Sequence, residues 1–330
     1  MKAVIVREFS PFERVGVEQA PNPTPGEGEV VIDVKAAEVN YPDILVIAGQ
    51  YQFKPPLPFT PGKAAAGIIS AVGKGVTDFS VGDPVAAQIE FGAYAEKLRV
   101  RAINVFLMPP GVAFAKGAAL GLAYQTAHFG LVERARMQKN DVVLVLGASG
   151  GIGVASVQIA KALGAKAVIG GVLGEENAVI ARRAGADATI DLGKGDIRDT
   201  VRSAVRMLTG GHGANIVIDP VGGAANAAAL RALAWRGRMV IIGFASGEIP
   251  KIPANYLLLK NIEVSGLQWS DYRDRTPEWV VKVQQELFDL YVAGKIDPYV
   301  SRTFPLDEFK TALSLLRDGK VQGKLVLAIG

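Results

Sequence analysis

Residues 141 to 165, "DVVLVLGASGGIGVASVQIAKALGA", constrain this chain more than any other stretch. A continuous apolar run leads into a turn containing Gly147, Gly150, Gly151 and Gly153, and then into a helix of small residues. An apolar run without alternation suits a strand covered by helices on both faces, as in parallel sheets. The rhythm continues with "KAVIGG", "ADATIDL", "ANIVIDP" (214 to 220), "RMVIIGF" (238 to 244) and "NIEVSGL" (261 to 267) as further strands. The helical stretches "EENAVIARRAG" and "DIRDTVRSAVRMLTGG" and an alanine-rich helix over 224 to 235 supply crossovers of the length that parallel pairing needs. The expectation is an α/β fold containing a doubly wound parallel sheet of six strands.

From residue 1 to about 117 the pattern is different: short apolar runs such as "EVVIDVKAAEV" and "GDPVAAQI" are broken by Pro and Gly. That spacing reads as a β-rich domain of short strands. The tail carries a long amphipathic helix over 277 to 294, a shorter one near 306 to 317, and a last strand, "KLVLAI", over 324 to 329. This last strand is expected to return to the first domain. A chain of 330 residues has room for two such cores.

Composition removes several kinds of chemistry. With no cysteine, the chain has no disulfide, no thiolate nucleophile and no cysteine-ligated zinc. Charges at positions 7, 8, 13 and 14 interrupt any secretory apolar core, and no run reaches membrane-spanning length. A cytoplasmic protein without a membrane partner is expected. The net charge is +4, yet the basic residues are scattered, and the densest cluster, "ERARMQK", is short. No basic stripe with interleaved aromatics marks a nucleic-acid partner.

The glycines of the first turn give G-x-x-G-G-x-G, a variant of the dinucleotide fingerprint. A pyrophosphate needs a tight turn, close backbone approach and the free N–H groups of a helix N-terminus. Ala148, Ser149, Gly150, Gly151, Ile152 and Gly153 are therefore expected to hold a cofactor. An NAD site usually ends its second strand in Asp or Glu, to accept from the ribose 2′-hydroxyl. Here Gly170 and Gly171 stand at that end, which permits a 2′-phosphate and favours NADP. Glu175 and Glu176 qualify that preference. Arg182 and Arg183, two turns along the helix, are either a solvated face or a phosphate clamp.

The chain resembles the medium-chain dehydrogenase/reductase superfamily, in its zinc-independent quinone oxidoreductase branch. The residues carrying the resemblance are "EVNYPDILVIAGQY" (38 to 51), "PFTPGKAAAGIISAVGKGVTDFSVGDPV" (58 to 85), "GAYAE" (92 to 96), "LGASGGIGVASVQIAKALGA" (146 to 165) and "GFASGEIPKIPANYLLLKN" (243 to 261). The resemblance implies a GroES-like catalytic domain, residues 1–117 and 268–330, and a Rossmann nucleotide-binding domain, residues 118–267, with the active site in the cleft between them. It also implies a homodimer joined through the strand near 261 to 267. Zinc members of the superfamily use cysteine and histidine ligands where this chain has Asn40 and Lys63. Members of the quinone branch commonly bind the 2′-phosphate with Ser and Lys near the positions of Gly174 and Asn177, and stack Tyr on adenine at Leu192. NADPH is the cofactor implied, with NADH as the alternative.

Without a Lewis acid to polarise a carbonyl, hydride must go to a carbon that is already electron-poor, such as a quinone or a conjugated alkene. Asn40, Tyr41 and Tyr51 are the candidate acceptor-site residues. Asn40 and Tyr51 match family positions that line the acceptor pocket, where they could donate to a developing oxyanion. Asn40 equally reads as the cap of a helix opening at Pro42 and Asp43. By the same resemblance, Thr126 contacts the nicotinamide amide, Gly323 and Lys324 close on the cofactor, and Gly171, Asn177 and Leu192 lie along its adenosine end. Gly222, Phe244, Ser246 and Gln268 follow the fourth, fifth and sixth strands, at the carboxyl ends where such sheets bind ligands.

Lys63 either meets an anionic substrate group or pairs with an acid, and Trp269 either walls the pocket or packs in a core. Three functions follow: an NAD(P)H-dependent quinone reductase, a reductase of enones, alkenals or enoyl thioesters, and a non-catalytic NADPH-binding protein like the lens crystallins of the branch.

Overall fold

The computed structural model describes residues 1–330, which form two compact units. The strands are β1 (Lys2–Ile5), β2 (Gly16–Gln19), β3 (Glu29–Val39), β4 (Ala64–Val72), β5 (Pro84–Gln88), β6 (Lys97–Arg101), β7 (Val105–Leu107), β8 (Val142–Leu146), β9 (Ala167–Val172), β10 (Ala188–Asp191), β11 (Ala214–Asp219), β12 (Leu233–Ile241), β13 (Glu263–Gly266), β14 (Val300–Pro305) and β15 (Lys324–Ala328). The α-helices are α1 (Tyr41–Ile47), α2 (Phe114–Ala119), α3 (Leu122–His128), α4 (Gly151–Ala162), α5 (Gly174–Arg183), α6 (Ile197–Leu208), α7 (Gly223–Ala232), α8 (Ala254–Lys260), α9 (Trp269–Arg275), α10 (Pro277–Val292) and α11 (Phe309–Arg317). None is long and apolar enough to cross a membrane.

The first unit comprises Met1–Leu122, Ser270–Val292 and Val300–Gly330. Its seven-stranded sheet runs β14-β15-β3-β4-β5-β7, with β6 also pairing β3. Val30, Ile32 and Val34 of β3 are buried against Val85, Leu98 and Leu325, so one face of the long strand builds the core. The terminal strand β15 does return here, pairing antiparallel with β3 through Leu325 opposite Val39 and Leu327 opposite Ala37. Strand β14, which carries little apolar signal, joins parallel to β15 at the sheet edge.

The second unit comprises Ala123–Trp269 and Ala293–Tyr299. Its sheet has six parallel strands in the order β10-β9-β8-β11-β12-β13, as a Rossmann fold requires. Every residue of β8 is buried, which is why its sequence shows no alternation. The chain reverses its direction of sheet growth between β8 and β11, and ligands of such sheets bind at this switch point.

Two expectations need correction. The alanine-rich helix stops at Ala232 instead of continuing to 235, because Leu233 is extended (φ −59°, ψ 142°) and opens β12 by pairing with Ala214. The expected single block 268–330 is also interrupted, since 293–299 belongs with the second unit. There the Gln158 amide donates to the Asp297 carbonyl at 2.8 Å and accepts the Asp297 N–H at 2.9 Å, and Arg183 stacks on Tyr299.

Candidate functional site

The turn after β8 is built backbone on backbone. Gly147 is left-handed (φ +61°), and a Cβ on Gly153 would collide with the Gly147 carbonyl oxygen. Gly150 caps α4, and the first intrahelical bond runs from the Val154 N–H to the Gly150 carbonyl at 2.8 Å. The N–H groups of Gly151, Ile152 and Gly153 precede that bond and have no acceptor within the helix. A glycine-walled turn ending in unpaired N–H donors has the chemistry to hold a pyrophosphate.

The neighbouring carboxyl ends complete this face of the sheet. After β11, the Asp219 carboxylate accepts from the N–H groups of Val221 and Gly222 at 2.8 and 2.9 Å, and from the Asn226 amide at 2.6 Å. Those bonds fix the turn into α7. The segment after β12 is stitched to it, with Ala245 and Ser246 donating to Pro220 and Val221 carbonyls at 3.1 and 2.9 Å. Gly222, Phe244 and Ser246 are thus brought together by a buried acid that a linear reading passes over. Thr126 is buried in α3, Gln268 follows β13, and Trp269 is buried in packing.

On the other side of β8, β9 runs on to Val172, so Gly170 and Gly171 lie inside the strand instead of at its end. Gly170 lets the sheet approach Ala148 and Ala181, since its Cβ would stand 2.9 Å from the first and 3.2 Å from the second. Gly171 packs beside Leu192. At this corner Asp191 accepts from the N–H groups of Gly193 and Gly174 at 3.0 and 3.2 Å. Those two bonds, in that order, hold its carboxyl below the usual range. Asn177 donates to the Leu173 carbonyl at 2.7 Å. Arg182 pairs with Glu175 and Arg183 stacks on Tyr299, so neither is a free phosphate clamp.

A buried polar cluster occupies the first unit. Asn40 stands at the N-cap of α1, but its side chain does not cap. The Asp43 carboxylate accepts the Asn40 N–H at 2.8 Å instead. The Asn40 amide donates to Glu38 at 3.0 Å, and its oxygen accepts from Lys324 at 2.7 Å. The Lys324 ammonium, expected on the cofactor, lies 2.8 Å from Glu38, and Gly323 turns the chain into β15 just before it (φ +63°). Burial raises the Glu38 carboxyl, against the pull of Lys324.

Asp43 also accepts the Tyr94 hydroxyl at 2.8 Å. Burial pushes its carboxyl from an ordinary 3.8 to about 6, although Lys63, Asn40 and Tyr94 favour the anion. The Tyr94 hydroxyl is itself raised, by burial and by the Asp43 charge. Lys63 forms an ion pair with Glu90 and sits 4.7 Å from the centre of the half-buried Tyr51 ring. Arg273 binds the other Glu90 oxygen at 2.9 Å. Burial alone would raise Glu90, but these two cations bring it below its ordinary value. Lys63 is therefore engaged by an acid, the second of the alternatives open in the sequence. Tyr41 is exposed at the start of α1. Glu38, Asp43 and Tyr94 lie in stretches that carry the resemblance without being marked as a cluster there, and Glu90 and Arg273 lie outside all of those stretches.

His128 is buried at the end of α3, and His212 lies in the exposed turn before β11. No group of three or more His, Cys, Asp or Glu side chains is arranged to hold a metal ion.

Residues 26–122 match the alcohol dehydrogenase GroES-like domain, and residues 151–285 match the zinc-binding dehydrogenase domain. The chain is 37% identical to the quinone oxidoreductase-like protein 2 homolog of Nematostella vectensis, over 92% of this chain and 82% of that protein. A mycobacterial quinone oxidoreductase superposes with a TM-score of 0.89 at 33% identity, over 99% of both chains. The Escherichia coli quinone oxidoreductase complexed with NADPH superposes with a TM-score of 0.90 at 29% identity, over 99% of this chain and all of that one. Fold, domain order and relatedness agree: the chain is an oxidoreductase of the medium-chain dehydrogenase/reductase superfamily, with quinone oxidoreductases as its relatives.

Proposed function

We propose that this protein reduces quinones with NADPH, without a metal ion, and that NADH serves less well. The observation that carries the nucleotide half is the open N-terminus of α4 behind the Gly147–Gly153 turn, where a Cβ on Gly153 would destroy the packing. Ala148 to Gly153 would hold the pyrophosphate, and Thr126, Gly222, Phe244, Ser246 and Gln268 would lie along the nicotinamide half. Gly171, Asn177 and Leu192 would take the adenosine. A bound nicotinamide supplies the hydride. The relative from Escherichia coli was solved with NADPH, which supports the same donor here.

The donor set does not suit zinc. At the two positions where resemblance would seek ligands, Lys63 presents an ammonium paired with Glu90, and the Asn40 amide is held between Glu38 and Lys324. Tetrahedral zinc needs thiolate, imidazole or carboxylate donors. The residues matching the zinc-binding dehydrogenase domain contain one histidine, His212, and no cysteine. The acceptor must therefore be electrophilic in its own right, as a quinone is. Asn40, Tyr41 and Tyr51 would line its pocket. Asn40 is fixed through one amide N–H by Glu38, which leaves the other to donate to the acceptor oxygen.

The engagement of Lys63 by Glu90 removes the main support for a substrate with an anionic tail. A homodimer joined through β13, the edge strand of the six-stranded sheet, belongs to the same proposal. The test is NADPH consumption by protein dialysed against a strong chelator, with a para-quinone and a simple enone compared. Quinone turnover unaffected by chelation supports the reading. Turnover of the enone alone, or turnover restored only by zinc, overturns it.

A further inference from the structure

A cavity of about 430 Å³ opens on the second unit, lined by Arg202 and Arg206 of α6, Arg231 of α7, Lys260 of α8, Tyr256 and His212 among others. Its position separates it from the nucleotide turn. His212 and Gly213 immediately precede β11, Leu233 opens β12, and Lys260 lies just before β13, so the cavity sits at the amino ends of the strands. The Gly147–Gly153 turn follows the carboxyl end of β8.

The lining contains no aspartate or glutamate, and none of its four basic side chains is paired with a carboxylate. The partly buried cations elsewhere in the molecule, Lys63, Arg238 and Arg273, each pair with an acid. The Lys260 ammonium donates to the Arg231 and Leu233 carbonyls at 2.7 and 3.0 Å, which anchors it at the cavity wall. The Arg231 guanidinium lies 5.5 Å from the centre of the Tyr256 ring, so it too is held in place. Burial lowers the Lys260 pKa, and the nearby charges of Arg202 and Arg206 lower it further.

Like charges assembled in a concave, half-enclosed site repel one another until an anion enters. Guanidinium groups suit the planar, two-point recognition of phosphate oxygens. The volume falls within the range of small-molecule sites. We propose that this cavity binds an oligophosphate, a small anion carrying several linked phosphates, at a site separate from the cofactor turn. Arg202, Arg206 and Arg231 contact the phosphates, and Lys260 supplies a fixed point charge.

The experiment is calorimetric titration of the full chain with inorganic tripolyphosphate at low ionic strength, with and without saturating NADPH. The expected result is one site per chain, weakened steeply by added salt as screened charges are, and not displaced by NADPH. Arg206→Ala and Arg231→Ala should each lower affinity by about tenfold, whereas Arg206→Lys should retain most of it. An ATP titration identifies the source: affinity equal to that of tripolyphosphate means that the phosphates alone are recognised, and tighter binding means that a base stacks beside them, both within the proposal. Absence of binding, binding unchanged in both alanine variants, displacement by NADPH, or orthophosphate binding as tightly as tripolyphosphate overturns it.

Discussion

Replacing Asp43 by Asn is expected to stabilise the protein at neutral and alkaline pH and to have little pH-dependent effect in acid. Asp43 is buried, and both of its donors, the Asn40 N–H and the Tyr94 hydroxyl, converge on a single oxygen, Oδ2. An asparagine can place its amide oxygen at that point and accept both bonds. The carboxyl is raised from 3.8 to about 6, so the folded state holds the proton more tightly than the unfolded chain. For a raised pKa, the associated stability is fully present below the unfolded value and is lost as pH rises through the folded one.

A shift of roughly two units corresponds to about 3 kcal/mol, lost between pH 4 and pH 7. Asparagine has no proton to lose, so the difference between variant and parent should grow in the variant's favour by about 2 to 3 kcal/mol from pH 4 to pH 8. Any cost of the new amide N–H₂ group is constant in pH and drops out of that change. Urea unfolding at a series of pH values measures it. A difference flat in pH would show that burial does not govern Asp43. One growing against the variant would show that Lys63, Asn40 and Tyr94 together hold the anion.

Glu90→Gln strands the buried Lys63 ammonium and leaves Arg273 with Asp274 alone, and should cost about 3 to 5 kcal/mol, read as a lower denaturant midpoint. Gly153→Ala drives a methyl into the Gly147 carbonyl and should weaken NADPH at least tenfold by fluorescence titration, with about 1 to 3 kcal/mol lost in stability. Asn177→Lys brings a cation to the start of α5 while keeping the left-handed Gly174, and should raise the preference for NADPH over NADH by about tenfold, seen in the ratio of kcat/KM values. Gln158→Ala removes both bonds to Asp297 and should speed amide hydrogen exchange across 293–299 before it affects the β8 core.

The six parallel strands, the glycine turn and the helices between them were legible because their signals are local. A strand buried on both faces reads as an unbroken apolar run, and a turn packed backbone on backbone reads as glycine at fixed spacing. The return of the last strand to the first domain could likewise be anticipated, since "KLVLAI" lacked a place in the second unit, whereas its partner β3 came from the structure. Local signals misled where one residue type served another purpose. Gly170 and Gly171 looked like the end of a cofactor-binding strand, whereas Gly170 is there to let Ala148 and Ala181 approach. The alanines that promised helix to 235 could not outweigh the pairing of Leu233 with Ala214.

The charged cluster was decided by tertiary structure alone. Lys324 reaches the Asn40 side chain across 284 residues of sequence, and Arg273 reaches Glu90 across 183. No periodicity records such a pairing, because the energy of a buried charge depends on which partner the fold delivers. The sequence by itself determined the six-stranded sheet and the glycine turn after its β8 strand. Folding decided that Lys63 would belong to Glu90 and that Asn40 would lie between Glu38 and Lys324, because a charge removed from water must find its partner inside the protein.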